Sequence, residues 1–80
     1  MSYGYSAKLV ALNRQADKSN LGVRLGRACI KGDIPISLAA NTLGVSRQTL
    51  YNWFVGKSSP QPMMVDLVTR YLARITSITK

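Results

Sequence analysis

The sequence contains no histidine and no glutamate, and its three acidic residues are all aspartates. Asp17, Asp33 and Asp66 stand far apart along the chain. General acid–base catalysis relies mostly on histidine and on positioned carboxylates, and protein metal sites draw on the same side chains together with cysteine. We therefore expect no enzymatic activity, no bound metal ion and no other cofactor.

Cysteine and long apolar runs are also scarce. Cys29 is the single cysteine, so it has no partner for a disulfide within the chain and no histidine to activate it as a nucleophile. We interpret it as a packing residue in a reducing compartment. No apolar run approaches the roughly 20 residues of a membrane-spanning helix, and the N-terminus lacks the pattern of a signal peptide. We expect a soluble, cytoplasmic protein.

Basic residues, in contrast, are abundant. Lysine and arginine number 11, which gives a formal net charge of +8. Such a charge indicates either a solubility role or an anionic partner: nucleic acid, an acidic protein or a membrane surface. With 80 residues and 46% hydrophobic content, residues 1–80 should form one small domain. That leaves no room for a separate domain that binds a small-molecule ligand.

Apolar periodicity and capping residues predict an all-α fold, a compact bundle of about five helices. Residues 1–5 are expected to form a flexible arm, from which Tyr3 and Tyr5, with Lys8, could reach a nucleic-acid backbone. Ser6, Asn20 (or Ser19) and Ser46 are suitable N-caps, while Gly44 and Gly56 can end helices. The helices are predicted at about residues 7–17, 20–30, 36–43, 47–55 and 62–76.

The stretch "AANTLGVSRQTLYNWF" predicts two helices joined by a turn of about three residues, a helix-turn-helix over residues 36–55. Gly44 can adopt the left-handed conformation of the turn, and Ala40 is small enough for the two helices to approach closely. The wedge between them should be filled by Leu43, Val45, Leu50 and Trp53.

The second of these helices should bury one face and expose the other. Leu50, Trp53 and Phe54 fall on one arc of the helical wheel. The opposite side is predicted to carry Arg47, Gln48, Tyr51, Asn52 and Val55. Arginine, glutamine and asparagine match the hydrogen-bonding edges of guanine and adenine, and valine can contact the thymine methyl group. No acidic residue lies on this side, as contact with DNA phosphates requires.

"AANTLGVSRQTLYNW" resembles the helix-turn-helix of the Cro and phage-repressor family, and "WFVGKSSP" is similar to the tryptophan, glycine and proline spacing that follows it there. The resemblance covers about residues 21–72. It implies that Lys57 contacts phosphate and that a set of side chains enters the major groove: Ser46, Arg47, Gln48, Tyr51 and Asn52. One departure is that Ile36 and Leu38 stand where many members carry glutamine and another polar residue. This suggests that the extra N-terminal helix covers that surface.

Two further surfaces are predicted from the residues themselves. Arg24, Arg27 and Lys31 form a cationic cluster that serves either solubility or phosphate contact. Apolar residues of the last helix span an arc of roughly 160°, more than the stripe of somewhat over 100° that one core contact needs. The surplus edge predicts a homodimer on DNA through Leu67, Tyr71 and Ile75.

The expected function is sequence-specific binding of double-stranded DNA, as a small prokaryotic or phage transcriptional regulator that acts by occupying an operator. Two alternatives remain open. The same motif would serve a DNA recombination or packaging accessory factor, such as an excisionase or a small terminase-like protein. It would also serve a phage-encoded module that binds and inhibits a host factor.

Overall fold

Five α-helices make up most of the computed structural model, which describes residues 5–78. They are α1 (Ala7–Gln15), α2 (Leu21–Lys31), α3 (Ile36–Leu43), α4 (Arg47–Phe54) and α5 (Pro62–Ile78). Within the described range there is no β-strand. The predicted all-α fold of about five helices is confirmed, with small shifts at the ends, since α1 stops at Gln15 and α5 runs past residue 76.

Side-chain caps start three of the helices at the predicted residues. Ser6 accepts a hydrogen bond from the backbone N–H of Leu9, and Ser46 accepts one from Thr49. The Asn20 side chain accepts from the backbone N–H of Gly22. Pro35 precedes α3, where its lack of an N–H costs nothing because a first-turn N–H has no helical partner. Local sequence thus defines where these helices begin.

Helix α2 lies at the centre of the bundle and packs against α1, α4 and α5. Its contact with α4 is unusually close. A Cβ atom at Gly22 would lie 2.5 Å from Cβ of Trp53, and one at Gly26 would lie 2.7 Å from Cγ of Phe54. Any larger side chain at these glycines would force the two helices apart. The lack of side chains at these two positions of α2 therefore lets α4 pack closely against it.

Over residues 5–78, the core is apolar except for one buried amide. The most deeply buried large side chains are Phe54, Leu25, Leu50, Val23 and Val68. Asn13 is also buried, and its Nδ2 donates to the carbonyl oxygens of Val23 at 3.1 Å and Phe54 at 2.7 Å. This amide ties α1 to α2 and to the C-terminal end of α4.

Tyr5 departs from the predicted flexible arm. Its ring is 8% exposed, lies with its centroid 6.2 Å from that of Phe54, and its hydroxyl donates to the Ile34 carbonyl at 2.6 Å. Tyr5 therefore belongs to the core, because an aromatic ring one residue before a capped helix can fold back over it. The rest of the arm, including Tyr3, lies outside the described residues.

The expectation that α1 covers the start of α3 is wrong. Leu38 remains 54% exposed, and α1 packs on α2 instead. The physical reason is Asn13, whose two hydrogen bonds hold α1 beside α2 and the end of α4. Over the described part of the chain, no helix has the length and apolar character needed to cross a membrane.

Candidate nucleic-acid interface

The turn between α3 and α4 is built as the motif requires. Gly44 has φ of 72°, a left-handed conformation that a glycine adopts at no steric cost. The next residue, Val45, donates its backbone N–H to the Ala40 carbonyl at 3.0 Å, which closes the end of α3. Ser46 then caps α4. A break of this length lets α4 start in a new direction within three residues.

The inner face of α4 is held by the core. Leu50 and Phe54 have no exposed surface and Trp53 is 4% exposed, as the helical wheel predicted. Ala40 and Leu43 of α3 are buried against them, and Val45 is half-buried at the edge. The predicted wedge is confirmed, and it orients the opposite side of α4 toward solvent.

The outer side of α4 carries two amides that are paired with each other. Gln48 Nε2 donates to Asn52 Oδ1 at 3.1 Å, one helical turn away. This pairing restrains both side chains and leaves the Gln48 oxygen and the Asn52 amide protons available for further hydrogen bonds. Adenine presents one donor and one acceptor in the major groove, which is the pattern such amides recognise.

Arg47 lies at the border of this side. At about 100° per residue it is about 60° from Leu50 and only about 20° from Phe54, so on the wheel it borders the buried arc and does not lie opposite it. It is nevertheless exposed, because it stands in the first turn of α4, beyond the packed part of the helix. We define the α4 outer face as Arg47, Gln48, Tyr51 and Asn52.

Three predicted members of this surface have other roles in the fold. The Ser46 hydroxyl is used as the cap and also donates to Thr49 Oγ1 at 2.9 Å. Tyr51 is half-buried with part of its ring against the core, rather than surrounded by polar residues. Val55 is the C-cap of α4 and is half-buried too. These three therefore have less freedom to contact a ligand than Gln48, which is exposed, whereas Asn52 is half-buried.

The loop after α4 brings Lys57 back to the end of the helix. Gly56 has φ of 84°, and the Asn52 carbonyl accepts from the backbone N–H of Lys57 at 2.9 Å and of Ser58 at 3.3 Å. The side chain of Asn20 donates to the Ser58 carbonyl at 3.1 Å, which anchors this loop to the start of α2. Lys57 is exposed at the C-terminal end of the α4 outer face.

The same anchor identifies a residue that the sequence reading missed. Lys18 is exposed and precedes Asn20 by two residues, so it lies at the same end of the molecule as Lys57. Nothing local indicated this, because the contact joins segments that are distant in the chain. Asp17 beside it has a pKa below its usual value, since its carboxylate accepts from the backbone N–H of Ser19.

Arg24, Arg27 and Lys31 are not brought to the α4 outer face. On the wheel of α2 they lie about 140–180° from Gly22, whose bare backbone faces Trp53. The thickness of α2, about 10 Å, and all of α4 separate them from that face. We therefore no longer expect these three cations to contact the phosphates of a duplex that is bound at the α4 outer face.

The predicted dimer residues do not form one surface either. Ile75 is 4% exposed and belongs to the core of its own chain, so its assignment is corrected. Tyr71 is half-buried, and burial raises its pKa. Leu67 is 44% exposed, and its neighbours Met63 and Val65 are 82% and 42% exposed. Packing along α2 uses the apolar stripe of α5, and the large apolar side chains of α5 that are described as exposed lie in its N-terminal part.

The single cysteine lies in the core. Cys29 is fully buried, and burial raises the pKa of its thiol to about 12, so it stays protonated at neutral pH. Residues 5–78 contain no cluster of three or more side chains of the kinds that hold metal ions.

Comparisons of the chain with models of protein families, with curated proteins and with solved structures find no match. What the α4 outer face does is therefore inferred from its own geometry and charge.

Proposed function

We propose that the protein binds double-stranded DNA in a sequence-specific manner, with α4 in the major groove, and that it regulates transcription by occupying an operator. The observation that carries this proposal is the α4 outer face itself. Paired amides and an arginine stand on a short helix whose opposite side is locked into the core, and a turn with a left-handed glycine holds that helix at an angle to α3.

Shape supports the major groove as the place of contact. The groove is about 12 Å wide and admits one α-helix with its side chains. Helix α4 is short and stands at the surface, with exposed residues in its first turn and an exposed loop after it. Such a helix can enter the groove without the rest of the bundle meeting the backbone first.

Charge supports an anionic partner at this face. No aspartate or glutamate occurs between residues 34 and 65, which include all of α3, α4 and the loop after α4. Arg47 and Lys57 mark the two ends of α4, and Lys18 lies near the second end. Cations at both ends of a recognition helix are positioned for the phosphates that line the two sides of the groove.

A homodimer on DNA is part of the proposal, with a narrower interface than the sequence predicted. Of the three expected residues, Leu67 is the one with a large exposed apolar surface, and Met63 lies one turn before it on α5. The longest dimension of the molecule is 32 Å. Half-sites one turn of DNA apart are separated by roughly 34 Å, which is comparable with this dimension.

The test begins with selection of bound sequences from a random duplex library, followed by titration of the selected duplex. Arg47→Ala and Gln48→Ala should each weaken specific binding by about 1–3 kcal/mol, the usual value of a bidentate base contact. Arg14→Ala is the matched control, since it removes the same charge from an exposed position on α1. It should leave the affinity for the selected duplex nearly unchanged.

Lys57→Ala separates phosphate contact from base reading. It should weaken binding to all sequences alike and reduce the salt dependence by about one counterion. Selection that yields no preferred sequence, or equal affinities for the parent, Arg47→Ala and Gln48→Ala, would contradict the proposal.

A further inference from the structure

The face of α2 that turns away from α4 has no use in the proposed DNA contact. Around α2, the glycines face α4, Ile30 faces the side of α1, and Ala28 faces the side of α5. The remaining sector carries Arg24, Arg27 and Lys31, which we call the α2 cationic face. Helix α2 itself contains no acidic residue to neutralise it.

Two grooves flank this face, and both have apolar floors. The groove between α1 and α2 has a volume of about 860 Å³ and is lined by Val10, Ala11 and Ile30. The groove between α2 and α5 has a volume of about 290 Å³ and includes Ala28 and Leu72. Arg27 and Lys31 border both grooves, so the cations form the ridge between them.

Arg27 is held in place on this ridge. Its Nη2 atom donates to the carbonyl oxygens of Asn13 at 3.0 Å and Arg14 at 3.4 Å, at the C-terminal end of α1. The guanidinium therefore does not need to be ordered by a ligand, and its other nitrogens remain to donate. Arg14 adds a further cation to the wall of the larger groove, which outweighs the single carboxylate of Asp33 at its end.

We propose that the α2 cationic face binds an acidic, amphipathic segment of a partner protein. Carboxylates of the segment would pair with Arg24, Arg27 and Lys31, and its apolar side chains would enter the groove between α1 and α2. The site lies on the opposite side of the molecule from the α4 outer face, so both can be occupied at once.

The combination of charge with concave apolar surface distinguishes this ligand from other anions. A second DNA duplex would meet the cations but has no apolar side chains to fill the groove, and its convex backbone would span the opening. A lipid surface is bound by apolar residues that protrude from a helix, whereas Val10, Ala11 and Ile30 line a depression. A polypeptide that carries both acidic and apolar side chains satisfies both features.

The test uses a fluorescent synthetic peptide of about 15 residues, long enough to form a helix, with glutamate on one face and leucine on the other. Two comparison peptides replace either every leucine by serine or every glutamate by glutamine. The parent protein should bind the first peptide and lose at least about tenfold in affinity for each of the others, because charge and apolar contact both contribute.

Variants of the protein locate the site. Arg24→Glu with Lys31→Glu should weaken peptide binding at least about tenfold, since two exposed charge pairs become repulsive. Lys8→Glu with Arg70→Glu makes the same change in net charge at exposed positions outside both grooves and should alter binding less than about threefold. Ala11→Trp, at an exposed groove position, should block the peptide without any change in charge.

Titrations of the selected DNA keep this proposal separate from the proposed function. Arg24→Glu with Lys31→Glu should keep the parent's preference for the selected duplex over a scrambled duplex, because it does not alter α4. Where charge reversal disturbs folding, as judged by circular dichroism, Arg24→Gln with Lys31→Gln takes its place. Equal peptide binding by the parent and the α2 variant would overturn the proposal. It would also be overturned if the parent formed a complex with two DNA duplexes and this variant did not.

Discussion

Asn13 is the buried residue on which the positions of α1, α2 and the end of α4 jointly depend. Its amide donates to the carbonyls of Val23 and Phe54. The carbonyl of Phe54 lies in the last turn of α4, where no backbone N–H of the helix can reach it. A side-chain amide from another helix therefore completes the hydrogen bonding of α4.

Asn13→Ala should lower the free energy of unfolding by about 1–3 kcal/mol, because it leaves a buried carbonyl without a partner. Asn41→Ala is the matched control at an exposed position of α3 and should change it by less than about 0.5 kcal/mol. Urea denaturation followed by circular dichroism measures both. Similar values for the two variants would show that water satisfies the Phe54 carbonyl as well as Asn13 does.

Cys29 makes stability depend on pH in the alkaline range. Burial raises the pKa of its thiol from 9.0 to about 12, so the folded protein holds a proton that the unfolded chain releases. The stabilisation is complete below pH 9 and is lost as pH rises from 9 toward 12. Burial also raises the pKa of Tyr5 and Tyr71, which adds to the loss above pH 10.

Between pH 9 and 10 the parent should lose about 1 kcal/mol more stability than Cys29→Ala, which has no thiol to ionise. Guanidinium denaturation at the two pH values measures the difference. The same measurement at pH 7 gives the loss of stability that comes from the cavity left by the substitution. Identical losses in parent and variant would mean that the thiol is as accessible in the folded protein as in the unfolded chain.

At the scale of elements, the contact between α2 and α4 controls where α4 stands. Gly22 and Gly26 lie one turn apart on α2 and face Trp53 and Phe54. A helical glycine ordinarily costs up to about 1 kcal/mol relative to alanine. Here the two glycines permit a close approach that buries two aromatic rings.

Gly22→Ala and Gly26→Ala should each destabilise the protein by about 1–3 kcal/mol, because the new Cβ must displace Trp53 or Phe54. They should also weaken DNA binding, since α4 moves with these rings. Gly44→Ala offers a comparison, because a Cβ there would meet nothing within 4 Å. It should cost about 1–2 kcal/mol through its left-handed φ alone.

Thermal unfolding and DNA titration separate the two effects. A gain in stability for Gly22→Ala, as expected of a helical glycine in open space, would contradict the close packing of α2 on α4.

For the molecule as a whole, the proposed homodimer depends on the apolar surface that α5 leaves exposed. The apolar residues that α5 leaves exposed are at its N-terminal half, and Leu67 lies on the side of α5 opposite Thr69. Burial of Ile75 removes it from any interface and makes it unsuitable for testing one, because a charge there would unfold the monomer.

Leu67→Lys should abolish cooperative binding to a palindromic site while it leaves the thermal unfolding midpoint close to that of the parent. Thr69→Lys adds the same charge to an exposed position of the same helix and should retain cooperativity. Gel shifts across a range of protein concentrations, with the mass of the complex determined in solution, measure the outcome. A complex of one protein with one duplex for the parent would contradict dimerisation.

The sequence by itself determined the five helices, their caps and the turn at Gly44, because these depend on residues within a few positions of one another. It also determined the inner face of α4, since a helix repeats every 3.6 residues and its apolar side must be buried. Gln48 and Asn52 followed as outward residues from the same rule.

Only the tertiary structure decided which surfaces share a side of the molecule. Arg24, Arg27 and Lys31 are a cationic cluster in the sequence, but their distance from α4 depends on which side of α2 the other helices occupy. An apolar residue such as Ile75 can lie in the core or at a dimer interface. Its burial in the core depends on how far α5 runs along α2. Lys18 and Lys57 lie at the same end of the molecule because Asn20 donates a hydrogen bond to the Ser58 carbonyl, which joins two distant loops. Such relations arise from packing between elements, and helical periodicity describes each element only about its own axis.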